Sequence, residues 1–339
     1  MSKLLLLFAA ALLVSAYAGN VCPKGSIVYK NDQPFYWPSS WRENTTAPEL
    51  QAGQVCSWTV VIPDGFYAKL IINGKTSDNL SRFQLIDSAG NFIQTTEEGM
   101  QPYYFPGPKL TIALSIDSAA TFGFKVIWSK LPSFIIGGTG VDRGVQVLNI
   151  SDPAIGGYYS AHTQMSVLPF PASPDNAYAY RSVLVYNGYQ SSQRYATNLF
   201  QIYQTQQQWV SSESVIYLLN LEPVSTLDKV ILQEYSYTKD IQQYVELRCS
   251  EGPTCSATLD AGSQTSALLD IENVNRTLTN IEMDPSAFLN VWFGPPRPDS
   301  FHYTYNGTAI NEVLPIQFPR SYVTQYVISS GRAAFTFSN

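Results

Sequence analysis

Apolar and polar residues alternate in short runs along the whole chain, and turn residues separate the runs. In residues 56–70, Trp58, Val60 and Ile62 alternate with Thr and Val, so both faces of this segment are largely apolar. Such a pattern is typical of a strand between two packed sheets. Pro63–Gly65 combines a fixed φ, an Asx side chain and a residue that tolerates positive φ, which predicts a turn. We therefore predict a β-hairpin here, and we expect much of the N-terminal half to be built around it.

The same pattern predicts strands elsewhere. Before residue 131 they are Trp58–Ile62, Phe66–Ile72, Phe83–Asp87, Asn91–Thr95, Lys109–Ile116 and Thr121–Trp128. After it they are Val145–Ile150, Tyr180–Tyr186, Leu199–Gln204, Val215–Leu221, Lys229–Tyr235, Tyr244–Arg248, Ser266–Ile271, Phe288–Phe293 and Tyr322–Ile328. Short strands at this density indicate an all-β sandwich fold.

Turn residues also predict the domain boundary. Asp87–Asn91 reads as a hairpin connection, Ser129–Pro132 ends the first series of strands, and Gly137–Gly140 reads as a linker turn. We predict one domain over residues 19–131 and a second β-rich region over residues 132–339, forming one large sandwich or two small ones.

A weak internal repeat links the two regions. Residues 110–127 align with residues 215–231 after a small gap, and similar Phe-Gln-apolar triplets precede them at 83–85 and 200–202. Strands of this composition align by chance, so the repeat leaves open whether the second region is related to the first.

The N-terminus predicts export. Residues 1–18 combine the basic Lys3, an apolar run too short to span a bilayer, and Ala16 and Ala18 at a small-x-small cleavage site. No later apolar stretch approaches the length of a membrane span. We expect a signal peptide over 1–18 and a secreted, extracellular protein.

Export permits disulfides and N-glycosylation. Four cysteines allow three pairings, and the simplest joins Cys22 to Cys56 and Cys249 to Cys255, because each pair is the closest in sequence. Sequons predict a glycoprotein with glycans on most of Asn44, Asn79, Asn149, Asn275 and Asn306.

Charge excludes some partners. Only 14% of residues are charged, the formal net charge is −6, and no basic run occurs. Phosphate binding needs clustered Lys and Arg, so we expect no nucleic-acid partner.

Several motifs occur in order over residues 20–131: Cys22-Pro23-x-Gly25, Tyr36-Trp37-Pro38, Cys56-x-Trp58, Pro63-x-Gly65-x-Tyr67-Ala68, Ser115-Ile116-Asp117-Ser118 and Phe122–Trp128. Together they resemble a CUB domain, and more closely the CUB-like domain of a secreted nematode family associated with innate defence. The resemblance implies a jelly-roll β-sandwich of two antiparallel sheets. The second disulfide of a typical CUB domain has no cysteines here.

The resemblance also bears on metal binding. Many CUB domains bind calcium through a Tyr, a Glu and two Asp residues, and Asp117 matches the last acidic position. The earlier acidic positions fall near Lys75–Thr76 and Ser81, which supply no carboxylate. A hard cation needs several oxygen ligands, so the resemblance leaves Asp117 as the one candidate metal ligand of this motif, and we expect no cofactor.

Catalytic signals are sparse. The two histidines, His162 and His302, stand outside any metal-binding spacing, and no nucleophile elbow occurs. Glu97–Glu98 is the obvious carboxylate pair, but adjacent strand residues point to opposite faces, and we expect a solvated loop there. We predict a protein that is not an enzyme. A glycan hydrolase that assembles distant carboxylates such as Asp260, Asp270 or Asp284 is the alternative.

Aromatic residues crowd one part of the second region, and amides follow them at Gln204 and 206–208. A binding surface for a sugar or a protein is predicted at Tyr178, Tyr180, Tyr186, Tyr189, Tyr195 and Trp209, near Tyr203. The competing interpretation is that these residues fill strands and core edges. We therefore predict an unidentified extracellular protein or glycan as the partner of an innate-defence binding module, with a purely structural secreted protein as a further alternative.

Overall fold

The computed structural model of the chain describes residues 22–133, 138–141, 144–151, 156–189, 194–223, 227–249 and 252–338. The predicted signal peptide lies outside these residues. The chain folds as two compact units, Met1–Pro132 and Ser133–Asn339. Regular structure in the described residues is almost entirely β, as the sequence predicts, and no helix there has the length and apolar character needed to cross a membrane.

The first unit is a β-sandwich. Its described strands are β1 (Ser26–Val28), β2 (Phe35–Trp37), β3 (Glu49–Leu50), β4 (Val55–Val61), β5 (Phe66–Thr76), β6 (Arg82–Ile86), β7 (Phe92–Thr95), β8 (Glu97–Gly99), β9 (Tyr103–Pro106), β10 (Lys109–Ser115) and β11 (Ala120–Lys130). One sheet has the order β1-β4-β10-β6-β7. The other has the order β2-β11-β5-β8, and in it β3 pairs with β11 and β9 pairs with β5.

The predicted hairpin at residues 56–70 is wrong, although its turn is correct. The Phe66 amide donates to the Pro63 carbonyl at 3.1 Å, and Gly65 has a φ of 77°. However, β4 and β5 lie in opposite sheets, so the chain crosses the sandwich here instead of pairing with itself. By contrast, the predicted hairpin connection at residues 87–91 is correct, because it joins the paired strands β6 and β7. The inward-facing Trp58 packs edge-on against Phe124 in the core, with ring centroids 5.1 Å apart.

The second unit contains two further sandwiches. Strands of the middle sandwich are β12 (Gly138–Gly140), β13 (Val145–Asn149), β14 (Gly157–Ser160), β15 (Met165–Phe170), β16 (Val183–Asn187), β17 (Arg194–Asn198), β18 (Trp209–Val210), β19 (Val215–Asn220) and β20 (Lys229–Glu234). Its two sheets have the orders β12-β14-β19-β16-β17 and β13-β20-β15-β18.

The C-terminal sandwich follows directly. Its strands are β21 (Ile241–Glu246), β22 (Thr254–Gly262), β23 (Thr265–Asp270), β24 (Arg276–Met283), β25 (Phe288–Phe293), β26 (Phe301–Asn306), β27 (Ile316–Phe318), β28 (Thr324–Ile328) and β29 (Gly331–Ser338). The two sheets have the orders β21-β23-β28-β25-β26 and β22-β29-β24-β27. The described helices are α1 (Leu199–Thr205), α2 (Tyr235–Thr238) and 3-10 segments at Pro174–Ser182, Pro298–Ser300 and Ile310–Glu312.

One topology occurs three times. In each sandwich, one sheet begins with a parallel edge pair, β1–β4, β12–β14 or β21–β23, and continues through three antiparallel pairings. The weak sequence repeat reflects this arrangement. Its first copy, residues 110–127, lies in β10 and β11, and its second copy, residues 215–231, lies in β19 and β20, which occupy the equivalent positions in the middle sandwich. The triplets at 83–85 and 200–202 are not equivalent, because one lies in β6 and the other in α1.

The predicted linker turn at Gly137–Gly140 is wrong for its described part. Gly138–Gly140 is β12, which pairs in parallel with β14. A segment with two glycines, which are depleted in strands, forms a strand here because a neighbouring edge supplies the hydrogen bonds, a tertiary effect that overrides local preference.

An apolar cluster joins the two sandwiches of the second unit. Leu168, Phe170 and Ile231 from the middle sandwich pack with Tyr244 and Leu269 from the C-terminal one. Beside this cluster, the buried Gln325 donates through Nε2 to Gln233 Oε1 at 2.9 Å and to the Gly294 carbonyl at 3.0 Å. Apolar burial with a directional amide contact gives this junction a defined geometry.

Candidate functional site

A cleft of about 260 Å³ opens where the two sandwiches of the second unit meet. It is lined by Leu168, Pro169, Phe170, Pro171, Ile202, Tyr203, Gln206, Gln207, Gln243, Tyr244, Val245, Glu246 and Arg248. The wall from the middle sandwich is the end of β15 together with the C-terminal end of α1, and the opposite wall is β21. Concave sites that combine apolar side chains with a few polar groups are the usual form of a ligand site.

Helix α1 places the amides of one wall. Its N-cap Asn198 and Gln201 form a reciprocal capping box, with hydrogen bonds of 2.9 and 3.3 Å. Ile202 anchors the helix in the core, and Gln206 ends it with a φ of 55°. The Gln206 side chain then donates to the Tyr203 carbonyl at 2.8 Å. The chain therefore turns away after α1 with exposed amides at the cleft.

Strand β21 forms the opposite wall. It pairs in parallel with β23, which places Tyr244 beside Ala267 and Glu246 beside Leu269. Tyr244 is buried in the cluster between the sandwiches, whereas Gln243 is exposed. Alternation along the strand thus sends an aromatic side chain into the junction and an amide to the surface.

Arg248 connects the two walls of the cleft. The Arg248 Nε donates to Glu246 Oε2 at 2.7 Å, and its terminal nitrogens donate to the carbonyls of Pro171 at 2.6 Å and Ala172 at 3.4 Å. The guanidinium therefore connects the C-terminal sandwich to the middle one. Only 15% of the Glu246 side chain is exposed.

Burial perturbs this carboxyl group. It raises the pKa of Glu246 above its ordinary value, and the positive charge of Arg248 only partly offsets the effect. Lys229 acts in the same direction as Arg248, whereas the charge of Glu272 adds to the increase. A carboxyl with a perturbed pKa in a cleft marks a candidate functional site.

The side chain of Gln208 makes four hydrogen bonds at the junction of the two sandwiches. Its Nε2 donates to the carbonyls of Thr238 and Ile241, both at 3.0 Å. Its Oε1 accepts from the hydroxyls of Ser166 at 2.7 Å and Thr238 at 2.9 Å. Among the amides that follow α1, Gln208 is therefore structural, while Gln206 and Gln207 face the cleft.

The six aromatic residues predicted as a binding surface do not share one exposed face. They are Tyr178, Tyr180, Tyr186, Tyr189, Tyr195 and Trp209. Tyr180 and Tyr186 are buried, and the Tyr180 hydroxyl donates to the Lys229 carbonyl at 2.6 Å. The prediction is wrong for these two because β16 is buried on both faces, and the 3-10 segment before it packs onto the core.

The other four aromatic residues lie in separate places. Tyr189 is 53% exposed and packs against Tyr158, with ring centroids 4.6 Å apart. Tyr178 stacks on Phe200 at 5.6 Å. Tyr195 and Trp209 are half-buried. None of the six lines the cleft, and the aromatic side chains on this wall are Phe170 and Tyr203.

Sequence reasoning missed Gln243, Glu246 and Arg248. The predicted strand 244–248 overlaps β21, although it begins three residues after β21 begins and ends two residues after β21 ends. A Glu and an Arg two residues apart at a strand end are an available signal. Their partners, however, are carbonyls more than 70 residues earlier, a contact that no local pattern reveals.

The residues near Asp117 do not fit a calcium ion. Asp117 is exposed, and its amide donates to Ser81 Oγ at 2.8 Å. The nearby acid is Asp78, whose carboxylate accepts hydrogen bonds from the Ser118 and Ser81 hydroxyls and from the amides of Leu80 and Ser81. These bonds, led by Ser118, hold the pKa of Asp78 well below its usual range. Within the described residues no three His, Cys, Asp or Glu side chains come together.

The carboxylates considered for hydrolysis have separate environments. Asp270 is paired with Arg276 at 2.8 Å, Asp284 accepts from the Arg332 amide at 3.0 Å, and Asp260 is exposed on β22. Both histidines are exposed, and neither lines the cleft. The His162 amide donates to Glu234, and the His302 ring packs on Phe293 at 4.7 Å.

Glu97 and Glu98 lie in β8, so the loop predicted for them is wrong. They do point to opposite faces. Glu97 is exposed and pairs with Lys75 at 2.9 Å, whereas Glu98 is buried and accepts from the Tyr103 hydroxyl at 2.6 Å. An edge strand was missed because its residues have low strand propensity.

The disulfide pairing agrees with the prediction from the sequence. The disulfides are Cys22–Cys56 and Cys249–Cys255, the pairing that the sequence favours. The first joins the segment before β1 to β4, and the second closes the connection between β21 and β22. All five sequon asparagines, at 44, 79, 149, 275 and 306, are exposed. Glycosylation at them stays a prediction.

Two family models match parts of the chain. Residues 17–132 match the CUB-like domain, in agreement with the resemblance found in the sequence. Residues 236–339, which include the whole C-terminal sandwich, match a domain of unknown function, DUF7591. No curated protein matches the chain by sequence.

The solved structures that the chain matches include the CUB1-EGF-CUB2 domain of human MASP-1/3, at 10% identity and a TM-score of 0.22 over 87% of this chain and 99% of that one. The full extracellular region of zebrafish Gpr126/Adgrg6 is similar at 9% identity and a TM-score of 0.27. That match covers 94% of this chain but about half, 52%, of the zebrafish chain.

Proposed function

We propose that this protein is a secreted, non-enzymatic recognition glycoprotein of innate defence, which binds a glycan through the cleft in its second unit. The match of residues 17–132 to the CUB-like domain supports a binding module. The predicted signal peptide, the two disulfides and the exposed sequons support an extracellular setting. The partner class stated from the sequence, a protein or a glycan, narrows here to a glycan.

The cleft is the observation that carries this choice. It combines three aromatic side chains, three glutamines and one acidic and one basic side chain in a concavity between two sandwiches. Sugars present hydroxyls on their edges and apolar C–H groups on their faces, so amides, a carboxylate and an aromatic ring suit them. A protein partner would require a larger and flatter surface.

A glycan hydrolase is the second candidate, because Glu246 has a raised pKa in a cleft. Glycoside hydrolysis requires two carboxyl groups on opposite sides of the scissile bond. Among the described residues that line the cleft, Glu246 is the one acidic residue. Binding without turnover therefore fits the lining better.

A glycan array and a microbial-surface pull-down with the secreted full-length protein test the proposal. We expect binding to a subset of glycans, undiminished by a chelator, with no change in the mass of the bound glycan after prolonged incubation. Failure to bind any glycan or surface would overturn the recognition proposal. Release of shortened products would replace it with the hydrolase.

A further inference from the structure

We infer that the cleft binds a single uncharged sugar unit, with Glu246 accepting hydrogen bonds from its hydroxyls and Gln207 and Gln243 completing the polar contacts. This inference rests on the proposed function and names the ligand class of the same site. Its support comes from the unused hydrogen-bonding groups of the cleft, its charge and its size.

Glu246 retains an unused acceptor. Its Oε2 accepts from Arg248, whereas its Oε1 has no hydrogen-bond partner among the described residues. Arg248 is braced by the Pro171 and Ala172 carbonyls, so the ion pair holds the carboxylate in one orientation. An oriented carboxylate oxygen beside a cleft can accept from two neighbouring hydroxyls, and hydrogen bonds to a charged acceptor are stronger than neutral ones.

The amides add donors and acceptors from both walls. Gln207 and Gln243 are exposed, and their side chains make no hydrogen bond to any described residue. Each amide offers an N–H donor and a carbonyl acceptor, which matches the dual character of a sugar hydroxyl. Because Gln207 follows α1 on one wall and Gln243 belongs to β21 on the other, they would contact a ligand from opposite sides.

Charge argues for an uncharged ligand. Glu246 and Arg248 neutralise each other, and two of the guanidinium nitrogens already bind backbone carbonyls. A carboxylated or sulfated sugar placed against Glu246 would bring two negative charges together in a partly buried site, which is unfavourable. A neutral sugar meets no such repulsion.

Size limits the number of sugar units. The volume of about 260 Å³ is below the range of roughly 300–1,000 Å³ that is usual for drug-sized ligands. Tyr203 is half-buried and lines the cleft, where an aromatic ring can pack on the apolar face of one pyranose. We therefore expect recognition of one unit, such as a glycan end, in place of an extended chain.

The test uses the secreted full-length protein and a set of methyl glycosides in isothermal titration and saturation-transfer NMR. The neutral probes are those of glucose, galactose, mannose and N-acetylglucosamine. The anionic probes are those of glucuronic acid and N-acetylneuraminic acid. We expect at least one neutral glycoside to bind, and the anionic ones to bind more weakly than it by tenfold or more.

Variants locate the site. Glu246→Gln and Gln243→Ala should each weaken binding of the neutral probe by about tenfold, the loss expected for a hydrogen bond to a charged or polar protein group. Glu282→Gln removes the same charge from an exposed position on β24 and should leave the affinity unchanged. Because the Gln243 side chain is exposed and makes no hydrogen bond to a described residue, its variant should melt like the parent, which separates loss of binding from loss of fold.

The outcomes distinguish the two levels of the proposal. Neutral sugars that bind both cleft variants as tightly as the parent would overturn the inferred site but leave glycan recognition standing. Preferential binding of anionic sugars would overturn the ligand class. Binding of no sugar probe and no arrayed glycan would overturn both.

Discussion

Arg276→Met should selectively destabilise the C-terminal sandwich. Arg276 is 2% exposed and contacts Asp270, which is 4% exposed, through Nε at 2.8 Å, and it also contacts the carboxylate of Glu272. Asp270 ends β23, the strand that pairs with β21 and so supports the wall of the cleft that carries Glu246. The buried pair therefore stands one strand away from the candidate site.

The magnitude follows from the burial of both partners. Methionine fills much of the volume of the arginine stem, but it leaves the Asp270 carboxylate buried without its cation. Breaking a buried pair in this way typically costs about 3–5 kcal/mol, a large share of the roughly 5–15 kcal/mol that stabilises a domain. Replacing both partners, as in Asp270→Asn with Arg276→Met, removes the uncompensated charge and should recover at least half of the loss.

Hydrogen exchange measured by mass spectrometry provides the assay, because it assigns an opening free energy to each segment of the intact chain. In Arg276→Met we expect a fall of about 3–5 kcal/mol for the amides of β23 and β28, with the strands of the first unit unchanged as the internal control. A loss below about 1 kcal/mol would refute the reasoning, as would an equal loss in the first unit.

Three further predictions concern the first unit and the surface. Gly123→Ala should destabilise the first sandwich by about 1–3 kcal/mol in urea unfolding, because a Cβ there would lie 2.8 Å from the Trp41 ring; an unchanged midpoint would contradict this. The hydrogen bond from Lys125 lowers the pKa of Glu43. Burial lowers the pKa of Lys125, but the same hydrogen bond opposes this effect, and the pKa of Lys125 is raised. Glu43→Gln should therefore lower the thermal midpoint between pH 4.5 and 10.5, by an amount equivalent to about 1 kcal/mol. The difference should vanish as the pH falls through the lowered pKa or rises through the raised one, and a constant difference would argue against the pair. Peptide-N-glycosidase treatment of the secreted protein should remove glycans from most of the five sequons, whereas an unchanged mass would contradict their use.

Local chemistry explains what was predictable in the fold. Alternation identified most long strands, and the turn at Pro63–Gly65 has the geometry that its residues require. The sheet that the next strand joins is not a local property. For that reason β4 and β5, which look like a hairpin, lie in opposite sheets. The strand at Gly138–Gly140 escaped detection because its neighbour β14, and not its own propensity, makes it a strand.

The candidate site was predictable only in part. The sequence pointed to a segment rich in Tyr and Gln, and Tyr203, Gln206 and Gln207 from that segment do line the cleft. It could not separate them from Tyr180 and Tyr186, because aromatic side chains serve buried strands and exposed surfaces equally well.

The other wall depends on how two sandwiches pack. Glu246 and Arg248 become a site because Arg248 reaches the Pro171 and Ala172 carbonyls on the neighbouring sandwich. No periodicity within β21 encodes that contact. Burial of Glu246, which raises its pKa, is likewise a property of the junction and not of the strand.

A crystal structure of the full-length protein with the tightest-binding neutral methyl glycoside tests the central claim most directly. We predict one sugar ring in the cleft, with hydroxyls within hydrogen-bonding distance of Glu246 Oε1 and of the Gln243 amide, and with its apolar face on Tyr203. A sugar bound elsewhere, with the cleft lined only by solvent, would contradict the account.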